Sequence, residues 1–183
     1  MSDAARYPDE LTRTVTTTDG VPVFIRAIRS QDADRLVGLY DRLSQHSAYQ
    51  RFFAVMKRLP PDWARMLAEV DYVSRLALVA EAETPGGREL VGVARYEPTD
   101  RADTVEVAFV IQDGWQNRGL GKALLHDLLR AAEARGLRRF CAYVLAGNSR
   151  MIGLIARFTT IAERKLDQGV VEVTFTTGSA SSR

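Results

Sequence analysis

The amino-acid sequence predicts an α/β domain: a central mixed, mostly antiparallel sheet of six to seven strands flanked by about four helices. Three observations predict it. Runs of alternating apolar and polar residues recur along the chain, separated by longer stretches whose apolar residues fall at helical spacing. Between residues 75 and 111 three strand-like runs follow one another with only turn signals between them, which implies an antiparallel meander. The last of these runs passes through a glycine-bearing turn straight into an amphipathic helix.

Val23 to Ile28 alternates like a strand, and Asp32 to Leu43 places Leu36, Leu39, Tyr40 and Leu43 on one helical face. Pro60 and Pro61 open a second helix, because a first turn has no intrahelical use for the N–H that proline lacks; Trp63, Met66, Leu67 and Val70 mark its apolar face. The meander takes Arg75 to Glu81, Glu89 to Tyr96 and Thr104 to Ile111, joined through Pro85-Gly86-Gly87 and the stretch Pro98 to Asp103. Gly119 opens a long helix carrying Leu120, Leu124, Leu125, Leu128, Leu129 and Ala132, and Gly136 ends it. Phe140 to Leu145 is a strand and Asn148 to Phe158 a shorter helix. Thr160 to Arg164 and Val170 to Phe175 then close a hairpin about Asp167-Gln168-Gly169. Residues 1–20 and 177–183 are expected to be flexible ends around a domain spanning 21–176.

Of 183 residues, 46% are hydrophobic and 26% charged, which excludes a disordered chain and suits a single domain. A net charge of +2 leaves no electrostatic footprint for nucleic acid, so none is expected as a partner. No apolar run reaches the length of a bilayer span, and the polar start Met1-Ser2-Asp3 lacks the pattern of a secretory signal, so no membrane association and a cytoplasmic setting are expected. The single Cys141 excludes an internal disulfide. No Cys/His cluster has zinc-site spacing, so no metal is expected, and His46 and His126 read as structural or solvated.

The distinctive segment is the strand Val105 to Ile111, then Gln112 to Trp115, then Gln116-Asn117-Arg118-Gly119-Leu120-Gly121-Lys122. A strand that turns through glycines into a helix start aims several backbone N–H groups at one point, which favours phosphate. Gly119 and Gly121 remove Cβ atoms that would hold an anion away, while Arg118 and Lys122 add positive charge. The segment lacks the Gly-Lys-Ser/Thr ending of a P-loop and the three-glycine spacing of a dinucleotide fold. An ordinary glycine-assisted connection is the competing reading of the two glycines alone.

Gln-x-x-Gly-x-Gly between a strand and an amphipathic helix resembles the pyrophosphate loop of GNAT acetyltransferases, and the order of elements over roughly residues 21 to 176 fits that fold. Leu43 to Phe53, Val70-Asp71-Tyr72 and Glu106 to Val110 are similar to the Pat branch of protein lysine acetyltransferases. The resemblance implies acetyl-CoA as co-substrate, a sheet splayed where it binds, and a protein acceptor bearing a lysine, with acyl-CoA synthetases as candidates. Glu106 matches the family's glutamate and is the candidate general base; a Glu between Val105 and Val107 also suits the solvent side of an alternating strand. The resemblance further implies that Val110 and Ile111 pair with the pantetheine arm. It assigns Gln116, Asn117, Arg118, Gly119, Leu120, Gly121 and Lys122 to the pyrophosphate, and Asn148 to a CoA contact or a plain N-cap.

Two features depart from the pattern: Thr159-Thr160 replaces the Gly-Phe that commonly follows the last helix, and the general-acid position differs. Many GNAT enzymes carry a tyrosine seven residues after that asparagine as general acid; here Ile155 stands there, and the acid is unassigned. Three functions follow: acetylation of protein lysine, acetylation of a small-molecule amine, or a weakly catalytic acetyl-CoA sensor module. A monomer and a homodimer are both compatible with the sequence.

Overall fold

The computed structural model describes residues 6–177, and among them eight strands and five α-helices alternate. The strands are β1 (Arg13–Thr16), β2 (Pro22–Ala27), β3 (Leu76–Thr84), β4 (Gly87–Pro98), β5 (Thr104–Ile111), β6 (Arg139–Leu145), β7 (Thr159–Asp167) and β8 (Val170–Thr177). The helices are α1 (Ala33–Asp41), α2 (Gln45–Phe52), α3 (Pro61–Ala68), α4 (Leu120–Ala134) and α5 (Ser149–Phe158). One sheet results, ordered β1-β2-β3-β4-β5-β6-β8-β7 and antiparallel at every pairing except β5 with β6. No helix among the described residues is long and apolar enough to cross a membrane.

The sheet carries a layer on each face. One core joins Ala94, Tyr96, Val107 and Phe109 to the leucines of α4, Leu120, Leu124, Leu125, Leu128 and Leu129. Each such leucine contributes about 1.5–3 kcal/mol through burial. The other core packs Leu36, Leu39 and Tyr40 of α1 with Ala64 and Ala68 of α3 onto Ala77, Val79 and Val93. Strands β3 and β4 lie between the layers, which is why Leu76 to Ala82 is buried without alternation.

Three expectations are corrected. The sheet is larger than six to seven strands because Arg13–Thr16, inside the supposedly flexible 1–20, pairs antiparallel with β2; residues 1–5 and the tail 178–183 lie outside the described residues. A fifth helix, α2, forms over a polar segment, because the Ser44 hydroxyl accepts from Ser47 N and caps it. On α3 the buried stripe runs through Ala64, Leu67 and Ala68, leaving Trp63 and Met66 half exposed at 46% and 52% rather than on the apolar face.

Candidate active site

Strand β5 begins beside β6 and then leaves it. Thr104, Val105 and Glu106 pair in parallel with Arg139, Phe140 and Cys141, and there the ladder stops. Strand β6 continues against β8 through Leu145, while β5 continues against β4 through Ile111, so the two diverge beyond Glu106. The edge of β5 from Val107 onward faces a gap.

Past Ile111 the chain makes a short turn and enters α4. Asn117 and Gly119 take positive φ, 60° and 83°, and the amides of Leu120, Gly121 and Lys122 precede the first intrahelical bond, from Ala123 N to Gly119 O at 3.1 Å. A Cβ at Gly121 would meet Leu154 Cδ2 at 3.6 Å and Phe109 Cε2 at 3.8 Å. Those two side chains line a cavity of about 760 Å³, and a Cβ at Gly121 would make only ordinary contact with them. Such a cradle of free amides, with Lys122, His46, Arg150 and Arg157 around it, suits a polyanionic ligand.

Of the residues singled out in the sequence, Val110, Ile111, Gln116, Asn117, Gly119, Gly121, Lys122 and Asn148 all line this cavity. Arg118 and Leu120 do not. Leu120 is core at 2% exposed, and the Arg118 guanidinium lies over the Trp115 ring at 4.9 Å and within 3.5 Å of Asp19. The Gln116 side chain fastens the turn: its Nε2 donates to Ile111 O at 3.0 Å and to Ser47 Oγ at 3.1 Å. Asn148 Oδ1 accepts from Met151 N at 3.2 Å, the geometry of an N-cap on α5.

A second cavity of about 170 Å³ adjoins the first and shares Gln50, Arg51, Phe109, Asn148 and Met151 with it. Glu106 lines this one, opposite Tyr143 of β6 and beside Phe52 and Phe53. Burial pushes the Glu106 carboxyl above its ordinary value; Arg51 opposes that shift and Glu97, its neighbour across the β4–β5 ladder, adds to it. The Glu106 carboxylate accepts no hydrogen bond and joins no ion pair among the described residues. It is thus a half-buried carboxylate with lone pairs free, facing a pocket contiguous with the anion cradle.

Sequence reasoning missed the wall contributed by α5. Met151, Leu154 and Phe158, with Arg150 and Arg157, all line the cavity. Their spacing of three, four and seven is that of one helical face, a signal present in the sequence. Ile155 points away from it, 1% exposed in the core. His46, read as solvated or structural, is exposed on the cavity's rim.

The model of the acetyltransferase (GNAT) family matches residues 39–159, and the chain belongs to that family. An acetyltransferase from Pseudomonas aeruginosa is 30% identical over 149 residues, covering 81% of this chain and 80% of that protein. Acetyltransferase Pat of Mycolicibacterium smegmatis is 31% identical over 151 residues, but these make up 81% of this chain and only 44% of Pat, so the chain spans less than half of that relative. The crystal structure of the GNAT domain of S. lividans PAT shares 37% identity and a TM-score of 0.82, covering 93% of this chain and 99% of that one. A putative acetyltransferase from Salmonella typhimurium, solved with its cofactor acetyl-CoA, has the same fold at 17% identity, with a TM-score of 0.62 over 88% of this chain and 97% of that one. The protein is a GNAT-type acetyltransferase with the fold of that family.

Proposed function

We propose that this enzyme transfers the acetyl group of acetyl-CoA to the ε-amine of a lysine on a folded protein, with Glu106 as general base. The observation that supports it is the position of Glu106 at the last paired step of β5 and β6, in a small pocket that shares lining residues with the cavity of the glycine turn. In this reading the amides from Gly119 to Lys122 take the pyrophosphate, with Asn117 and Gln116 shaping the turn. Arg118 adds charge at its outer side. Val110 and Ile111 line the gap that β6 leaves and border the pantetheine arm, the Ile111 carbonyl being held by Gln116 Nε2, and Asn148 borders the thioester end.

A lysine ammonium is almost wholly protonated near neutral pH, so a base must take its proton before the nitrogen attacks the thioester carbonyl. Glu106 accepts that proton, the C–N bond forms and the C–S bond breaks, and the second proton lost by the nitrogen ends on the leaving thiolate. The leaving thiolate is a far better leaving group than an alkoxide and needs no strong acid, which accommodates Ile155. The segment from Ser44 to Tyr72 forms part of the docking surface for the acceptor: Tyr49, Phe53, Val55, Trp63 and Met66 expose apolar area there. Acyl-CoA synthetases are the acceptors that the Pat likeness suggests, and a reducing cytoplasm suits the free, buried Cys141.

Small-molecule amines are the second reading, favoured by the modest volume of the pocket at Glu106. Labelled acetyl-CoA offered with an intact synthetase, a matched lysine peptide and a panel of free amines separates the two. Protein docking predicts a much higher kcat/KM on the folded synthetase than on the peptide. Preference for a free amine would move the assignment to small molecules.

A further inference from the structure

Arg51 lines the large cavity, the pocket at Glu106 and a third, apolar recess beneath α1, so the one residue borders all three. It sits on the last turn of α2, and that helix is pinned at its other end. Asp113 accepts from Ser44 N at 2.9 Å, from Ser44 Oγ at 2.7 Å and from Ser47 Oγ at 2.8 Å, and Gln116 donates to Ser47 Oγ. The turn that carries the glycines therefore also fixes where Arg51 can reach.

Among the described residues the Arg51 guanidinium has no ion pair and no hydrogen bond; it lies over the Phe52 ring, 4.8 Å from the centroid. The other carboxylate near it, Glu97, is already engaged by Arg75 at 2.5 Å and by Arg95 at 2.9 Å. Glu106 is the one left without a cation. Around Glu106 stand Arg95 and Glu97 of β4, Arg75 at the entry to β3, Arg51 of α2, Cys141 and Tyr143 of β6, Glu172 of β8, and Arg101 from the β4–β5 connection. Arg101 is taken by Glu172, and burial raises both the Cys141 thiol and the Tyr143 hydroxyl, leaving them neutral.

We infer that Arg51 is a positioning residue that holds the Glu106 carboxylate ionised at the mouth of the cofactor cavity. Two partly dehydrated groups of opposite charge with no other partner attract more strongly than in water. Burial lowers the Arg51 pKa to about 10, so it stays cationic at neutral pH and supplies the charge that the pocket needs. The catalytic consequence rests on Glu106 being the base: without Arg51, Glu106 would hold its proton to higher pH and fewer molecules would be ready to accept one from lysine.

The test follows the Glu106 carboxyl directly, by carbon-detected titration of the free enzyme labelled at glutamate side chains, with Glu106→Gln assigning the resonance. The titration midpoint should rise by about one pH unit in Arg51→Met and remain near wild type in Arg51→Lys. Arg51→Gln replaces the Met variant if circular dichroism shows that it has not folded. A midpoint unchanged in the neutral variants would overturn the inference. The acid limb of kcat/KM is read alongside. If it moves with the midpoint, both assignments stand; if the midpoint moves and the limb does not, Arg51 still governs Glu106, but Glu106 is not the base. Weakened acetyl-CoA binding with no change in midpoint would give Arg51 to the cofactor instead.

Discussion

The charges buried between β2, β3 and α1 are matched partner for partner, whereas those at the fork between β5 and β6 are not. In the first cluster Arg26 grips Asp32 with two bonds, at 2.7 and 2.8 Å, and reaches Glu81 through Nε at 2.9 Å; Arg35 meets Glu81 at 2.6 Å and Arg29 N meets Asp32 at 2.8 Å. Both carboxylates there are held by arginines within the fold. At the fork, Glu97 has two arginines while Glu106 and Arg51 have none of their own. Burying a charge without a partner costs stability, and such a cost is kept where a reaction needs the group.

The comparison breaks first at the matched cluster. Arg26→Met leaves Asp32 and Glu81 buried with only Arg35 between them, and about 3 kcal/mol of unfolding free energy should be lost. Denaturant titration would read it, and activity per folded molecule should persist. Burial alone would raise Asp32 and Glu81, but bonds from the arginines outweigh it and hold both carboxyls below their ordinary values of 3.8 and 4.5. Depressed folded pKa values give stability that is present above the ordinary range and lost as pH falls through the lowered values, so acid should unfold the wild type through this cluster.

At the other end of the cavity, Gly121→Glu should fold, since little stands near that position, yet set a carboxylate among amides proposed for pyrophosphate. Like charge at such a site costs several kcal/mol, so calorimetry should show acetyl-CoA affinity lowered by about a hundredfold or more. Wild-type affinity in a folded Gly121→Glu would leave the turn without its proposed role.

The smallest effect has the opposite sign to the first. Glu106 is raised rather than lowered, so the folded chain binds its proton more tightly than the unfolded chain, and its contribution falls as pH rises above the ordinary 4.5. Its charge is a net cost at neutral pH. Glu106→Gln should therefore melt slightly above wild type near pH 7, with the gain shrinking as pH falls toward 4.5. A lower melting temperature at neutral pH would place Glu106 with the matched cluster.

Much of this was legible in the sequence, and the rest failed for identifiable reasons. Strand Thr104–Ile111 and the glycine turn carry their signals locally, in alternation and in residues that tolerate positive φ. Glu106 could be nominated but not decided, because its surroundings depend on where the β5–β6 ladder ends, and that is set by β6 pairing with β8. Arg13–Thr16 has no buried stripe; it is a strand only because β2 offers an edge. Helix α2 is polar, with its hold in Ser44 and in Asp113, 69 residues away in sequence. Trp63 and Met66 misled because apolar size was taken for burial, while the small Ala64 and Ala68 allow α3 its close approach.

The central claim is that the unmatched carboxylate at the fork carries the proton. Turnover of Glu106→Gln against wild type, measured with saturating acetyl-CoA and a folded acceptor across pH, tests it most directly. The account predicts a fall in kcat of roughly two to four orders of magnitude, unchanged acetyl-CoA affinity, and partial recovery as rising pH neutralises more of the acceptor lysine. A variant that turns over at the wild-type rate with the wild-type pH profile would contradict it, leaving Glu106 as a strand residue.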